Sequence, residues 1–69
     1  MNRKMAILKF VRKNPDVRLR SIGRGLNVWH LELYKDVAAL VEAGMLIVTE
    51  HHDPANMEHY NTYRVRNRG

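Results

Sequence analysis

The sequence predicts a mostly α-helical domain closed by a small antiparallel β-hairpin. Three observations carry that expectation. Apolar residues recur at helical spacing in three successive stretches ending at Ala43. Gly44 then punctuates the chain, and an aliphatic, partly β-branched run follows it. Residues 61–66 alternate as a strand does, with Tyr63 and Val65 on one side and Arg64 and Arg66 on the other. With 69 residues the chain is expected to form one domain, 1–69, with no room for a second.

The first helix is expected over residues 3–13, where Met5, Leu8 and Val11 fall at i, i+3 and i+6 with Ile7 beside them. Phe10 lies off that stripe and is a candidate for a dimer surface. Asn14-Pro15-Asp16 ends the helix, because Pro15 disfavours a helical Asn14 and Pro-Asp favours a turn. The second helix is expected over 18–26, with Leu19, Ile22 and Leu26 on one face and Arg20 and Arg24 on another. Gly23 and Gly25 each weaken it by about 1 kcal/mol relative to alanine; a close helix crossing would account for Gly23. The third helix is expected over 29–43, with Leu33, Val37, Leu40 and Val41 as its apolar stripe and Gly44 as its C-terminal stop. The hairpin spans 45–66, pairing Met45–Thr49 with Asn61–Arg66. The loop between them, His51 to Tyr60, is longer than the usual two to five residues or so of a hairpin.

Composition bounds the function. The chain has no cysteine, which excludes disulfides and cysteine-ligated zinc fingers. The apolar run near the N-terminus is broken by Lys9, Arg12 and Lys13, so neither a signal peptide nor a membrane span is expected. The expected location is the cytoplasm, or the nucleoid of a host cell. The net charge is +5 and unevenly placed. Residues 1–27 carry eight Lys/Arg against Asp16 alone, residues 28–60 carry six acids against Lys35, and residues 61–69 add Arg64, Arg66 and Arg68. Basic blocks at both ends suit a polyanion, whose bound counterions they would release.

Catalytic and metal chemistry find little support. Ser21 is the only serine and has no evident base beside it, and Gly23-Arg24-Gly25 lacks the spacing and the Lys-Ser/Thr pair of a phosphate loop. A chain this short has little volume for a substrate pocket. His51, His52 and His59 cluster with Glu50, Asp53 and Glu58, but without the spacing of a structural metal site. No enzyme activity, cofactor or metal is expected.

The segment from Leu19 to Leu46 resembles the winged helix-turn-helix family. The residues that carry the resemblance are Leu19, Ile22, Gly23, Leu26, Asn27, Val28, Leu33, Val37 and Leu40, followed by Glu42-Ala43-Gly44-Met45-Leu46. Gly23 stands where the family usually has alanine, and the third helix is more acidic than is usual for a DNA reader. The resemblance implies three helices plus a wing, with helix 29–43 entering a DNA major groove. It also implies a small transcriptional regulator of the kind found in phages, plasmids or archaeal viruses, binding double-stranded DNA sequence-specifically, commonly as a homodimer. On a helical wheel His30, Leu31, Tyr34, Lys35 and Ala38 are then the groove-facing residues. Lys35 can donate to guanine, Leu31 and Ala38 can touch thymine methyls, and Tyr34 can donate to a phosphate. Phosphate contacts are expected from Arg18, Arg20 and Arg24 before that helix and from Arg64, Arg66 and Arg68 after it.

Glu32 and Asp36 lie within two residues of the proposed readers, and pairing with Arg20, Arg24 or first-helix bases is the expected resolution. Trp29 has two readings, packed on the second helix or exposed as an interface anchor. Two other functions fit the same residues. One is a protein-interaction module docking through its acidic third helix. The other is a DNA-binding accessory factor of recombination or replication.

Overall fold

The computed structural model describes residues 2–66. Along the chain run α1 (Arg3–Lys13), β1 (Val17–Arg18), α2 (Leu19–Leu26), α3 (His30–Glu42), β2 (Leu46–Asp53) and β3 (Glu58–Val65). Each helix falls within one residue of its expected bounds. The side chain of Asn2 starts α1 by accepting the Met5 backbone N–H at 2.8 Å, satisfying a donor that has no partner inside the helix. At the other end the Asn14 amide side chain donates to the Phe10 carbonyl at 2.9 Å, and Pro15 cannot continue the ladder.

The core draws on every layer: Ile7 and Val11 from α1, Ile22 from α2, Leu33, Val37 and Leu40 from α3, Leu46 from β2 and Tyr63 from β3. The stripe of α1 is rotated from its expected position. Its buried pair is Ile7 and Val11, while Met5 is 56% exposed. That rotation turns Phe10 inward, where it packs against the core and its ring covers Gly25. Packing within the monomer thus accounts for Phe10 without a dimer.

The strands depart most from expectation. The chain is mixed α and β rather than mostly helical, and its sheet is not a lone hairpin. Three antiparallel strands lie in the order β1-β3-β2. Asp16 takes a left-handed φ of 59° after Pro15, and the two extended residues that follow pair as Val17 with Tyr63 and Arg18 with Thr62. Two residues are too few to show a period in the sequence. The expected loop His51–Tyr60 is itself mostly strand: β2 and β3 stay in register from Leu46–Val65 to Asp53–Glu58. Asp53 makes the tight turn possible. Its carboxylate accepts the Ala55 backbone N–H at 3.0 Å and the Asn56 side-chain amide at 2.9 Å, closing an Asx turn.

Met57 leaves this turn at φ 56°, a left-handed conformation that costs an L-residue roughly 1–2 kcal/mol. Met57→Gly removes that strain but adds unfolded-state entropy. The expected net gain is about 0.5 kcal/mol, read by urea denaturation. A loss of stability would show that the 76%-exposed Met57 side chain contributes packing that outweighs its strain.

Gly44 ends α3 at φ 79°. The Met45 N–H reaches back to the Leu40 carbonyl at 2.9 Å, and the Gly44 N–H to that of Val41 at 3.0 Å. These are the paired bonds of a Schellman stop. Gly44→Ala forces a Cβ into the left-handed region and should cost about 1 kcal/mol. The check is a fall in Tm of roughly 4–8 °C; an unchanged Tm would mean that the helix end re-forms around the new side chain.

Candidate nucleic-acid interface

Helices α2 and α3 are joined by only Asn27, Val28 and Trp29. Asn27 adopts φ 56°, a conformation asparagine tolerates better than most residues. The Val28 N–H then donates to the Gly23 carbonyl at 2.9 Å. Gly23 lets the two helices approach closely: a Cβ built there would lie 2.7 Å from the Val28 carbonyl oxygen and 3.0 Å from His30 Cα. The close crossing expected at Gly23 is present.

This turn fixes which face of α3 is left open. With Leu33, Val37 and Leu40 buried, Leu31 (60%), Tyr34 (59%), Lys35 and Ala38 are exposed and His30 is half-buried. The five candidate readers therefore lie off the core, along one helix. Of the two acids among them, Asp36 lies 3.7 Å from Arg3 of α1, an exposed pair worth about 0–1 kcal/mol. Glu32 has no ion pair among the described residues, and neither do Arg20 and Arg24. The pairing foreseen with α2 is absent, and the one with α1 is formed.

Two grooves meet beside α3. The first runs between α2, α3 and the edge of β3; its walls include Arg18, Arg20, His30, Tyr34, His59 and Tyr60. The edge is open there because β1 pairs only with Thr62 and Tyr63, leaving residues 58–61 without a neighbour on that side. The second groove lies along the helix turn and is walled by Arg20, Arg24, Asn27, Val28, Trp29 and His30. Arg20 and His30 belong to both, so Arg18, Arg20, Arg24, His30 and Tyr34 form one continuous basic and aromatic surface, with the acidic Glu58 on its β3 side.

Arg18 does two things on this surface. Its guanidinium lies 3.7 Å from the centroid of the Tyr60 ring, a cation–π contact. Tyr60 in turn stacks on its cross-strand partner His51 at 4.7 Å and 8°. His51 Nε2 is 2.8 Å from the buried Thr62 hydroxyl. Arg18 thus helps hold the hairpin to the body as well as lining the groove. His52 and His59 meet edge to face at 4.3 Å across the strands. Among the described residues no three His, Asp or Glu side chains converge as metal ligands do.

The other expected phosphate contacts lie elsewhere. Arg64 and Arg66 wall a separate depression with Arg12, Pro15 and Ile47. An Arg66 Nη lies 3.4 Å from where a Cβ on Gly44 would sit, beside the C-terminal end of α3. A 13-residue helix is about 20 Å long, so Arg66 is far from Trp29 and His30 at the other end. Arg68 lies outside the described residues.

Sequence reasoning left several groove residues unassigned. Trp29 is 62% exposed, its ring 4.8 Å from that of His30, which decides between its two readings in favour of exposure. His59 and Tyr60 are expected in the loop, and Asn61 at the start of the second strand. The Asp53-Pro54 pair was the available signal, since aspartate followed by proline opens a type I turn. A turn there extends the strand pairing to Tyr60. In comparisons with known proteins, no family model, no curated protein and no solved structure matches the chain.

Proposed function

We propose that this chain is a winged helix-turn-helix domain that binds double-stranded DNA sequence-specifically, as a small transcriptional regulator without catalytic activity. In this reading α3 is the recognition helix and the β2–β3 hairpin is the wing. The observation that carries it is that His30 and Tyr34 of α3 share two adjoining grooves with Arg20 and Arg24 of α2, which have no ion pair among the described residues, on a helix whose Leu31, Tyr34, Lys35 and Ala38 are exposed. An α-helix fits a major groove, and flanking arginines on the same side meet phosphates. The short α2–α3 connection, closed by left-handed Asn27, supports the same geometry. A cytoplasmic or nucleoid location follows from this role, and no helix among the described residues is long and apolar enough to cross a membrane.

The test is fluorescence anisotropy with labelled duplex DNA across a salt series. Binding should weaken steeply between about 50 mM and 200 mM salt, because each neutralised phosphate releases counterions. Once a preferred site has been selected, Lys35→Ala should cut discrimination at one base pair by about tenfold, the usual worth of a bidentate contact. Equal discrimination before and after the change removes Lys35 from the readers.

A protein-docking role for α3 is the second reading, favoured by the exposed Trp29, Leu31 and Tyr34 and by Glu32, which has no ion pair among the described residues. Absence of duplex binding at low salt would select it. A homodimer on paired half-sites, and a role in recombination or replication, are variants of the first reading; a footprint on a promoter, an attachment site or an origin separates them.

A further inference from the structure

The groove along the helix turn holds the only tryptophan of the chain. Trp29 is 62% exposed, which is unusual for a residue whose large apolar surface is normally mostly covered. His30 tilts against it at 43° and leaves much of the indole open. Arg20 and Arg24, one turn apart on α2, wall the same groove and have no acidic partner among the described residues. Gly23, Asn27 and Val28 complete the lining without a charge.

A flat apolar face next to two uncompensated cations matches one ligand chemistry closely: a planar ring carried on an anionic backbone. We propose that this groove holds a single unstacked DNA base, its ring on the Trp29 indole and its flanking phosphates on Arg20 and Arg24. This rests on the DNA-binding reading above and adds a preference to it. Stacking on an aromatic side chain tolerates any base, since every base has a π face. The domain therefore favours duplexes in which one base is already out of the stack, where the cost of extruding it is lowest. A protein anchor would use the indole equally well but leaves the two arginines unexplained unless the partner is acidic, so an acidic peptide is the competing outcome.

The single tryptophan makes the test direct, because emission excited beyond the tyrosine absorption band reports this groove alone. The full chain is titrated with three duplexes of about two helical turns: fully paired, with one bulged adenine, and with an abasic bulge of the same backbone. Stacking should quench Trp29 emission more deeply with the adenine bulge than with either control. The adenine bulge should also bind about tenfold tighter than the abasic one. Trp29→Ala should abolish that ratio by weakening the adenine bulge about tenfold more than the paired duplex, and Trp29→Phe should keep most of it, with circular dichroism verifying the fold of both. Equal binding and equal quenching by all three duplexes overturns the base site and leaves the DNA-binding reading standing. No binding to any duplex overturns both. Quenching by an acidic peptide as deep as that by the adenine bulge reassigns the groove to a protein partner.

Discussion

Replacing Gly23 with alanine should lower the stability of the domain by about 2 kcal/mol, a fall of roughly 8–16 °C in Tm for a chain of this size. On helix propensity alone the sign would be opposite, since alanine in a helix interior gains about 1 kcal/mol over glycine. Steric contact decides the matter. The new Cβ would sit 2.7 Å from the Val28 carbonyl oxygen and 3.0 Å from His30 Cα and Cβ. Two of these three atoms are backbone, so no rotamer change relieves the clash and the α2–α3 crossing must open. Overpacking of this kind costs typically 1–3 kcal/mol, and here it also disturbs the Val28-to-Gly23 hydrogen bond that closes the turn. Gly25→Ala is the internal control. The nearest atoms to its Cβ all belong to the Phe10 ring, closer than a real Cβ contact allows, so the loss there comes from displacing a core-packed side chain rather than from opening the α2–α3 crossing. Thermal denaturation followed by circular dichroism compares the two. If Gly23→Ala melts at or above the wild-type temperature, the crossing is looser than the distances imply, and the orientation of α3 is less fixed than the site requires.

Gly23 also marks where a family resemblance and a contact part company. By analogy, alanine is acceptable at that position; the short turn through Asn27 makes it unacceptable here. The helices were legible because their apolar spacing is a repeated signal, sampled several times in each of Leu33-Val37-Leu40 and Leu19-Ile22-Leu26. The rotation of α1 was not, because Met5 and Ile7 are equally apolar and only the packing of Phe10 on Gly25 chooses between them. Strand β1 gave no period to detect, and its pairing depends on Tyr63 and Thr62, more than forty residues away. The outer half of the hairpin was hidden for another reason. His51, His52, His59 and Tyr60 read as a polar loop, yet they pair as His51–Tyr60 and His52–His59, and aromatic contacts across strands stabilise such pairs without any aliphatic alternation. Of the candidate site, the exposed face of α3 followed from its buried face. The division of the arginines did not, since residues 20, 24, 64 and 66 are equally basic in sequence and only the fold separates them.

That division makes the largest functional prediction. Reversing Arg20 and Arg24 together to glutamate should weaken duplex binding on the order of a hundredfold at moderate salt and flatten the plot of log K against log salt by about two units of slope, one per lost phosphate contact. Both side chains are exposed and unpaired among the described residues, so the fold has little to lose; an unchanged melting curve verifies that. Reversing Arg64 and Arg66 is the comparison. These line the depression beside Arg12, and Arg66 also reaches the C-terminal end of α3, where a cation favours the helix dipole by about 0.3–1 kcal/mol. Their reversal should cost stability and only a modest factor in affinity. Were the two double variants to lose affinity equally, DNA would have to span both faces, and a single recognition helix could not explain the footprint. Were the Arg64/Arg66 variant alone to lose it, the polyanion would lie against α1 and the outer sheet. The exposed face of α3 would then be free for a protein partner, and Trp29 and Tyr34 would be the first side chains to test for it.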